Sequence, residues 1–545
     1  MILFSSFLIA TFVTMALIPV LIRAAPRLGL VDRPGPRKLH SAAVPRVGGI
    51  AMVAGVTLPL LMWLPFDQRT AALVLGIAII AGFGIWDDRR ELGYRTKFFA
   101  QLIAVAVVMG FGGVIIHWVP FMGDEPLPDI VAIPLTVIAL LGITNAINLA
   151  DGLDGLAGGT TLLSVGAIGI LGYSVGNYEA ALIAAGLIGG LLGFLRFNTH
   201  PARVFMGDCG SQFLGYTAGV LAIGLTQGSR GALSPALPLL LLGLPILDTL
   251  LVMGQRLYEG RSPFSADRNH VHHKLLSLGF DHYEAVSLIY LVQAALVISA
   301  YALRFQSDAV IVAMYGAFCL TVTMALLSAN TLGWRVHRAL AYGSEPALTV
   351  RIRSFQQTAR LEHWAVTFVV TSLPIYYAIS LASARGITAD IAMLAVGLFA
   401  VLLALWFRNR DRPFTWIERG AAYAVAAVML YVPEADGHSA LAFFIFSNVY
   451  FIVIAAAVVA GLVFASDGRR FRVTTLDILV VVIAVAAPNL PDAVFVGVSY
   501  GILIAKLIVL FYALELVLSA GAGRWRVMRL VQITTTALLG IHAVL

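Results

Sequence analysis

Long apolar runs are the feature that most restricts what this chain can fold into. A membrane-spanning helix needs about 20 apolar residues, and runs of that length recur along the whole sequence. Of the 545 residues, 60% are hydrophobic and 12% are charged, whereas soluble domains carry about 25% charged residues. Helices cross lipid because they satisfy their own backbone hydrogen bonds. The sequence therefore predicts an all-α, polytopic helical integral membrane protein.

The apolar runs fall into two groups separated by a polar stretch. About eleven predicted helices come first, and about six or seven follow the stretch. The predicted spans are roughly 4–22, 48–65, 70–86, 98–118, 129–146, 160–175, 178–195, 210–227, 233–254, 283–302 and 307–329, then 364–383, 388–406, 418–432, 441–465, 474–489, 493–518 and 531–545. We predict a membrane core at 1–330, a cytoplasmic basic linker at 331–363 and a further transmembrane region at 364–545.

Basic residues alternate between the loops in a way that predicts topology. They cluster after the odd-numbered helices of the core, and the even-numbered helices are followed by short loops with few of them. Cytoplasmic loops of membrane proteins carry this excess, so every motif-like loop is predicted to face the cytoplasm. Arg23 and Arg27 follow the first run, which favours an uncleaved helix over a signal peptide. The net charge of +7 lies in these loops and does not indicate nucleic-acid binding.

A loop rich in aspartate, asparagine and glycine separates the fifth and sixth predicted helices. Between Asn145 and Gly159 it contains Asn148, Asp151 and Asp154. A single Asp-Gly pair is often a solvated turn, but this short loop has two of them. Carboxylates at the end of a membrane helix are costly and mark a functional site by default. The glycines allow a ligand to approach the backbone closely.

Other loops on the same face add carboxylates and cations. Asp87 and Asp88 end the third predicted helix, Lys97 opens the next, and Asp208 lies between glycines at the start of the eighth. Carboxylates of this kind can bind a divalent cation or act as a base. Each motif alone is weak, because helix ends are often solvated. Lys38 in the first loop and Asn198 in the loop before Asp208 are candidate substrate contacts.

The fifth polar loop contains a histidine cluster. Arg268, a further candidate substrate contact, precedes His270, His272 and His273. The histidines could bind Zn²⁺, act as general acids or bases, or donate hydrogen bonds to phosphate. Phosphate binding fits best, since hard oxygen ligands are abundant and no cysteine is close by.

Together these loops predict phosphoryl transfer at a membrane surface. Mg²⁺ is usually held by one or two carboxylates and by substrate phosphates, and cations stabilise the transferring phosphoryl group. The residues alone do not name the substrates. A transporter or lipid flippase is the main alternative, but it predicts charges in the middle of helices, whereas these acidic residues lie at helix ends and in loops.

The order of these motifs resembles the polyprenyl-phosphate N-acetylhexosamine-1-phosphate transferases. The resemblance covers residues 1 to about 330. Asp87 and Asp88 match the paired aspartates of the family and Lys97 the lysine that follows them. The remaining matches are Asn148, Asp151 and Asp154 with the Asn-x-x-Asp-Gly-x-Asp-Gly signature, Asp208 with the aspartate that coordinates Mg²⁺, Lys38 with an early lysine, and His270, His272 and His273 with the His-x-His-His signature of the N-acetylglucosamine branch.

The resemblance implies a specific reaction and specific partners. An N-acetylhexosamine 1-phosphate, expected to be that of N-acetylglucosamine, passes from a UDP-sugar to undecaprenyl phosphate and UMP is released. Mg²⁺ is expected as cofactor, with Mn²⁺ as a substitute, and a homodimer in the bacterial inner membrane is plausible. Alternatives are a modified sugar or a muramyl-pentapeptide donor, although Val271 interrupts the three consecutive histidines of the pentapeptide branch.

The resemblance also suggests roles for individual residues. Asp87 is expected to deprotonate the lipid phosphate, and Asp208 to hold Mg²⁺. A double displacement through a covalent phospho-aspartate is the alternative. Asn148 and Asp151 are expected to orient the nucleotide, and the histidines and Lys38 to contact phosphates. The region beyond about 365 lies outside the resemblance, and its function is not predicted.

Overall fold

A computed structural model of the full chain describes most of its residues. The described residues are 2–33, 43–122, 125–227, 233–262, 269–336, 360–384, 387–409, 416–435, 441–463, 474–486, 494–495, 498–519 and 524–542. Two compact units divide the chain. The first comprises Ile2–Ala341 with Thr474–Leu479, and the second comprises Tyr342–Val473 with Val480–Leu545.

The first unit is a helical bundle with one two-stranded hairpin. Its strands β1 and β2 pair antiparallel, with Val31 opposite Pro45. The elements are α1 Ile2–Leu28, β1 Val31–Asp32, β2 Val44–Pro45, α2 Gly48–Trp63, α3 Gln68–Arg90, α4 Tyr94–Gly110, α5 Asp129–Ala150, α6 Leu156–Ser174, α7 Tyr178–Asn198, α8 Gly207–Gln227, α9 Pro238–Leu241, α10 Gly243–Tyr258, α11 Val271–Ser277, α12 His282–Ala302 and α13 Asp308–Thr331.

The membrane character predicted from the sequence is confirmed. Among the described residues, eleven helices are long and apolar enough to cross a membrane, and Gly48–Trp63 is a shorter apolar helix. The protein is thus an all-α, multi-pass membrane protein. The prediction of one helix over 233–254 is wrong in detail, because the chain forms two helices that meet at Leu242. Pro238 begins the first of them, and Gly243 begins the second.

Glycines let the helices that carry the motifs approach one another closely. A Cβ on Gly49 of α2 would lie 2.3 Å from the backbone nitrogen of Gly210 in α8. A Cβ on Gly84 of α3 would lie 2.5 Å from the Cα of Cys209. Only a residue without a side chain fits at such backbone contacts. These glycines therefore bring the start of α2 and the end of α3 against the start of α8.

The second unit is also helical and has buried ion pairs. Lys506 lies 2.5 Å from Glu434 and donates a hydrogen bond to Ser447 at 3.0 Å. Arg529 and Glu418 lie 2.7 Å apart with both side chains fully buried. The elements beyond residue 341 are α14 Arg360–Ser383, α15 Ala389–Asn409, α16 Trp416–Ala435, α17 Leu441–Val463, α18 Thr475–Ala486, whose residues up to Leu479 belong to the first unit, β3 Val494–Phe495, β4 Val498–Ser499, α19 Tyr500–Ser519 and α20 Arg524–His542. Most of the predicted linker, from 337 to 359, lies outside the described residues.

Candidate active site

The side chain of Asp88 holds the start of α8. Its Oδ1 accepts a hydrogen bond from the backbone N–H of Asp208 at 2.9 Å, and its Oδ2 accepts one from that of Cys209 at 3.1 Å. The first N–H groups of a helix have no partner within the helix, so a carboxylate there acts as a cap. Gly207 has a positive φ of 67°, and a Cβ on it would lie 2.3 Å from Asp88 Oδ2. Asp88 therefore positions Asp208.

Lys97 joins two carboxylates that come from different helices. Its Nζ lies 2.6 Å from Asp87 Oδ2 and 2.6 Å from Asp208 Oδ2. The Asp208 side chain is 24% exposed and that of Asp87 only 6%. The ammonium group neutralises two acids that would otherwise repel each other. We refer to Asp87, Lys97 and Asp208 as the acidic cluster.

Asp151 and Asn148 lie at the end of α5, close to the acidic cluster. The hydroxyl of Ser211 in α8 donates a hydrogen bond to Asn148 Oδ1 at 2.7 Å. Burial, followed by the negative charges of Asp208, Asp88 and Asp154, raises the pKa of Asp151 to about 7. A buried carboxyl whose pKa is raised beside other acidic groups is a functional-site candidate. These residues join the same site as the acidic cluster.

Asp154 lies further along the same loop and has other partners. Its Oδ2 lies 2.7 Å from His200 Nδ1 and accepts a hydrogen bond from the backbone N–H of Ala202 at 3.0 Å. Asn198 also holds this loop, since its Oδ1 accepts from the N–H of Gly155 at 2.9 Å and its Nδ2 donates to Val204 O at 2.9 Å. The carbonyl and amino groups of the Asn198 side chain thus link the loop after α5 to the loop after α7.

His270 is fixed by a carboxylate that the sequence analysis missed. Its Nδ1 lies 2.9 Å from Asp248 Oδ2, and the N–H of Val271 donates to Asp248 Oδ1 at 2.7 Å. Asp248 lies on α10 within an apolar stretch, and both its side chain and that of His270 are buried. An aspartate that accepts from one imidazole nitrogen sets the orientation of the ring. Asp248 therefore orients His270.

His272 lies against the loop that carries the aspartates. A Cβ on Gly152 would lie 2.2 Å from His272 Nε2. This nitrogen is buried and has no hydrogen-bond partner among the described residues. Burial, followed by the nearby His273, lowers the pKa of His272 to about 4. At neutral pH His272 is therefore an uncharged ring at the edge of the site, and His273 packs against it at 4.2 Å between ring centroids.

Two predicted substrate contacts cannot be located. Lys38 and Arg268 lie outside the described residues. Of the other predicted residues, Asp87, Lys97 and Asp208 are in direct contact, and Asn148 and Asp151 lie beside them. Asp88 supports them by accepting hydrogen bonds from two backbone N–H groups at the start of α8. Asp154 and His270 belong to neighbouring contacts on the same face of the unit.

The donor set of the acidic cluster fits Mg²⁺. Mg²⁺ prefers carboxylate oxygens and keeps waters that a phosphate can replace. Asp208 is half-buried and accessible, and its carboxylate already attracts the ammonium group of Lys97. Asp208 would be the ligand, with Asp87 beside it. Imidazole ligands, which would favour other metals, have no described contact with this cluster.

Comparison with known proteins assigns the chain to a family. Residues 70–226 match the model of glycosyl transferase family 4. A probable undecaprenyl-phosphate N-acetylglucosaminyl 1-phosphate transferase from Bacillus subtilis (strain 168) is 35% identical over 330 residues, which are 60% of this chain and 91% of the relative. The chain belongs to this transferase family.

Further relatives agree with this assignment. An undecaprenyl-phosphate alpha-N-acetylglucosaminyl 1-phosphate transferase from Yersinia pestis is 33% identical over 298 residues, covering 52% of this chain and 79% of the relative. A decaprenyl-phosphate N-acetylglucosaminephosphotransferase from Mycolicibacterium smegmatis is 38% identical over 303 residues, covering 49% of this chain and 73% of the relative. The family resemblance stated from the motifs is therefore confirmed.

Proposed function

We propose that this transferase moves N-acetylglucosamine 1-phosphate from UDP-N-acetylglucosamine to undecaprenyl phosphate and releases UMP. The names of the relatives from Bacillus subtilis and Yersinia pestis support the acceptor and the transferred group. The observation that carries the proposal is the contact of Lys97 with both Asp87 and Asp208 at 2.6 Å. A site with a cation between two carboxylates suits a reaction between two phosphates. The product would initiate a cell-envelope polysaccharide.

The proposed step exchanges one phosphorus–oxygen bond for another. An oxygen of the lipid phosphate forms a bond to the β-phosphorus of the UDP-sugar. The bond from that phosphorus to the bridging oxygen breaks, and UMP leaves with this oxygen. The sugar keeps its own phosphate and becomes joined to the lipid through a pyrophosphate. No oxidant or other co-reactant is needed.

Asp87 is proposed to accept the proton of the lipid phosphate. Its Oδ1 accepts a hydrogen bond from the backbone N–H of Leu92 at 2.5 Å, and its Oδ2 contacts Lys97. Both contacts hold the carboxylate in one orientation, which a general base requires. A phosphate that attracts Lys97 would leave Asp87 Oδ2 free to take the proton.

Asp208 is proposed to hold Mg²⁺, with Mn²⁺ as a substitute. The bound ion would neutralise charge that develops on the phosphate oxygens. Asp88 keeps Asp208 at the start of α8 through its hydrogen bonds to two backbone N–H groups. Asn148 and Asp151 are proposed to orient the nucleotide. Phosphate contacts are proposed for Lys38, His270, His272 and His273.

The orientation in the membrane follows from charge. Basic residues in the loops of the motif-bearing face favour the cytoplasm, where UDP-sugars are found. We therefore propose a protein of the inner membrane whose active site faces the cytoplasm.

A homodimer is a further expectation, which the mass of the detergent-solubilised protein would test.

Release of UMP is the test of this proposal. Purified protein is given undecaprenyl phosphate, Mg²⁺ and one of several UDP-N-acetylhexosamines. Release is expected to require lipid and metal and to be fastest with UDP-N-acetylglucosamine. Asp208→Asn should abolish turnover while the protein stays folded. Release by that variant at a rate near wild type would contradict the assignment of Asp208 to the metal.

A second experiment separates the one-step reaction from the double displacement. The protein is mixed with UDP-sugar and Mg²⁺ in the absence of lipid. Direct attack by the lipid predicts no UMP and no labelled protein. A burst of UMP equal to the amount of enzyme, with the sugar 1-phosphate bound to the protein, would instead establish a covalent intermediate and favour the double displacement.

A further inference from the structure

Two histidines and one aspartate meet at a second place on the motif-bearing face. We propose that Asp154, His200 and His282 bind a divalent transition-metal ion of the Zn²⁺ class. One donor atom from each of the three residues can be chosen so that all lie within 4.8 Å of one another. This site is separate from the acidic cluster, which has carboxylates and a lysine.

The geometry of the three residues is compact. His200 Nδ1 lies 2.7 Å from Asp154 Oδ2. The rings of His200 and His282 stack with their centroids 4.1 Å apart. His282 Nε2 lies 3.2 Å from the backbone oxygen of Asp154. Small movements of the imidazoles would let all three donors face a common point.

Three different parts of the first unit contribute to this site. Asp154 lies in the loop between α5 and α6, His200 in the loop after α7, and His282 is the first residue of α12. A bound ion would therefore connect three helices at one end of the bundle. The side chains are 19% exposed for Asp154 and 38% exposed for His200. An ion from solution can reach them.

The chemistry of the donors selects the metal. Two imidazoles and one carboxylate are the ligands that Zn²⁺ and its first-row neighbours prefer, whereas Mg²⁺ prefers oxygen alone. Three protein ligands leave a fourth position for water, as in Zn²⁺ sites that remain open. The millimolar Mg²⁺ that serves the transfer reaction should therefore not compete at this place.

Neighbouring groups hold the donors in place. The N–H of Ala202 donates to Asp154 Oδ2 at 3.0 Å, and the hydroxyl of Tyr283 donates to the backbone oxygen of His200 at 3.3 Å. Such supporting hydrogen bonds fix the orientation of metal ligands. Tyr283 also meets the His200 ring edge-on at 5.4 Å.

The more obvious histidine cluster is less suited to a metal. His272 Nε2 is buried against Gly152, and His270, His272 and His273 do not bring three donor atoms within 4.8 Å of one another among the described residues. Within the described ranges, Asp154, His200 and His282 are the group whose donors come together closely enough.

Cobalt provides a direct probe of the proposed site. Co²⁺ replaces Zn²⁺ in sites of this kind, and its visible absorption reports ligands arranged in a tetrahedron. The full-length protein in detergent is treated with a chelator, supplied with excess Mg²⁺ and titrated with Co²⁺. One equivalent of Co²⁺ should give a visible band, and Zn²⁺ should remove it.

Variants of the proposed ligands His200 and His282 test where the ion binds. His200→Ala and His282→Ala should each lose the band, and His200→Gln and His282→Gln should lose it as well while keeping more of the native packing. His117→Ala removes a histidine from the segment between α4 and α5 and should keep the band. Thermal unfolding with and without Zn²⁺ is a second readout, since a ligand raises the midpoint only of a protein that binds it.

Two results would overturn the proposal. One is wild-type protein that gives no band and no Zn²⁺-dependent shift in unfolding, in which case the three side chains only hydrogen-bond the loops together. The other is a band that survives in the His200 and His282 variants but is lost in His272→Ala or His273→Ala. Neither readout depends on transfer of the sugar phosphate, so the outcome is independent of the proposed function.

Discussion

Asp88 and Asp208 lie 120 residues apart in the sequence, yet the backbone N–H of Asp208 donates a hydrogen bond to Asp88 Oδ1 at 2.9 Å. The second oxygen of Asp88 accepts from the N–H of Cys209. Two adjacent aspartates on α3 thus do different things, since Asp87 contacts Lys97 and Asp88 holds the helix that presents Asp208. The paired aspartates that stand out in the sequence therefore have different contacts, and Asp88 has a positioning role.

Removing the Asp88 carboxylate should misplace Asp208. Asp88→Ala leaves two backbone N–H groups at the start of α8 without acceptors, and it should lower the free energy of unfolding by about 1–3 kcal/mol. Turnover should fall as well, because the metal ligand moves. Thermal unfolding and UMP release measure the two effects.

Asp67 offers a matched control for Asp88. It caps the start of α3, the helix that has Asp88 in its last turn, and its side chain accepts from the N–H of Thr70 at 2.9 Å. Asp67→Ala removes a cap remote from the site, so it should lower the unfolding midpoint but keep the turnover of the folded protein. Equal loss of turnover in both variants would show that Asp88 acts on stability alone.

Substitution of Lys97 tests its role in charge balance separately from the binding of the metal ion. Lys97→Met removes the ammonium group from between Asp87 and Asp208, and turnover should fall on the order of 100-fold or more. Mg²⁺ should bind at least as tightly as in wild type, because the carboxylates have lost their other cation. Calorimetric titration with Mg²⁺ and UMP release test both parts.

Arg95→Met is the control for this change. Arg95 is an exposed cation near the start of α4 that packs on the ring of Tyr94, and its loss should leave turnover and Mg²⁺ affinity unchanged. Much weaker Mg²⁺ binding in Lys97→Met than in the control would contradict the assigned charge balance.

Gly152 should not tolerate a side chain. In Gly152→Ala the new Cβ would lie 2.2 Å from His272 Nε2, so either the ring or the loop with Asp151 must move. Overpacking of this kind costs about 1–3 kcal/mol, and turnover should fall. Gly82→Ala on α3 is the control, since a Cβ there meets nothing within 4 Å. Equal turnover in the two variants would argue that this contact is unimportant to the site.

The lowered pKa of His272 predicts how the stability of the protein depends on pH. Its pKa falls from 6.5 to about 4 on folding, mainly through burial, so the unfolded chain binds this proton more tightly. The contribution of the neutral His272 ring to the free energy of unfolding is therefore complete above pH 6.5. It is lost as the pH falls from 6.5 towards 4. The loss amounts to roughly 3 kcal/mol.

Comparison with His272→Gln isolates this contribution. The variant lacks the titrating ring, so its stability should fall less between pH 6.5 and 4 than that of wild type. Nuclear magnetic resonance of labelled histidines should also show one ring in the wild type that stays neutral at pH 5. A wild-type protein in which every histidine titrates near 6.5 would be inconsistent with the buried, neutral ring.

Hydropathy predicted most helices of the first unit, because the length of an apolar run fixes where a membrane helix can lie. The break at Leu242 was missed, since Pro238 and Gly243 lie inside an otherwise continuous apolar run. Asp248 was missed for a related reason. A single carboxylate within an apolar helix gives no pattern, and its meaning becomes clear only from its contact with His270.

Which side chains meet across the bundle depended on tertiary packing. The motifs placed the aspartates on one face, but they could not show that Lys97 bridges Asp87 and Asp208. The contacts of His200 and His282 with Asp154 join three segments that are far apart in the sequence. The close packing of Gly49 on Gly210, on which the shape of the site depends, likewise has no signal in a single sequence.

The central claim concerns which bond is broken, and a labelled donor tests it most directly. UDP-N-acetylglucosamine with ³²P in the β-phosphate is incubated with the purified protein, undecaprenyl phosphate and Mg²⁺, and the lipid and water phases are then separated. Transfer of the sugar 1-phosphate predicts label in the lipid phase, unlabelled UMP in water, and neither with Asp208→Asn. Labelled UDP in the water phase would mean that the sugar moves without its phosphate and would contradict the proposed reaction.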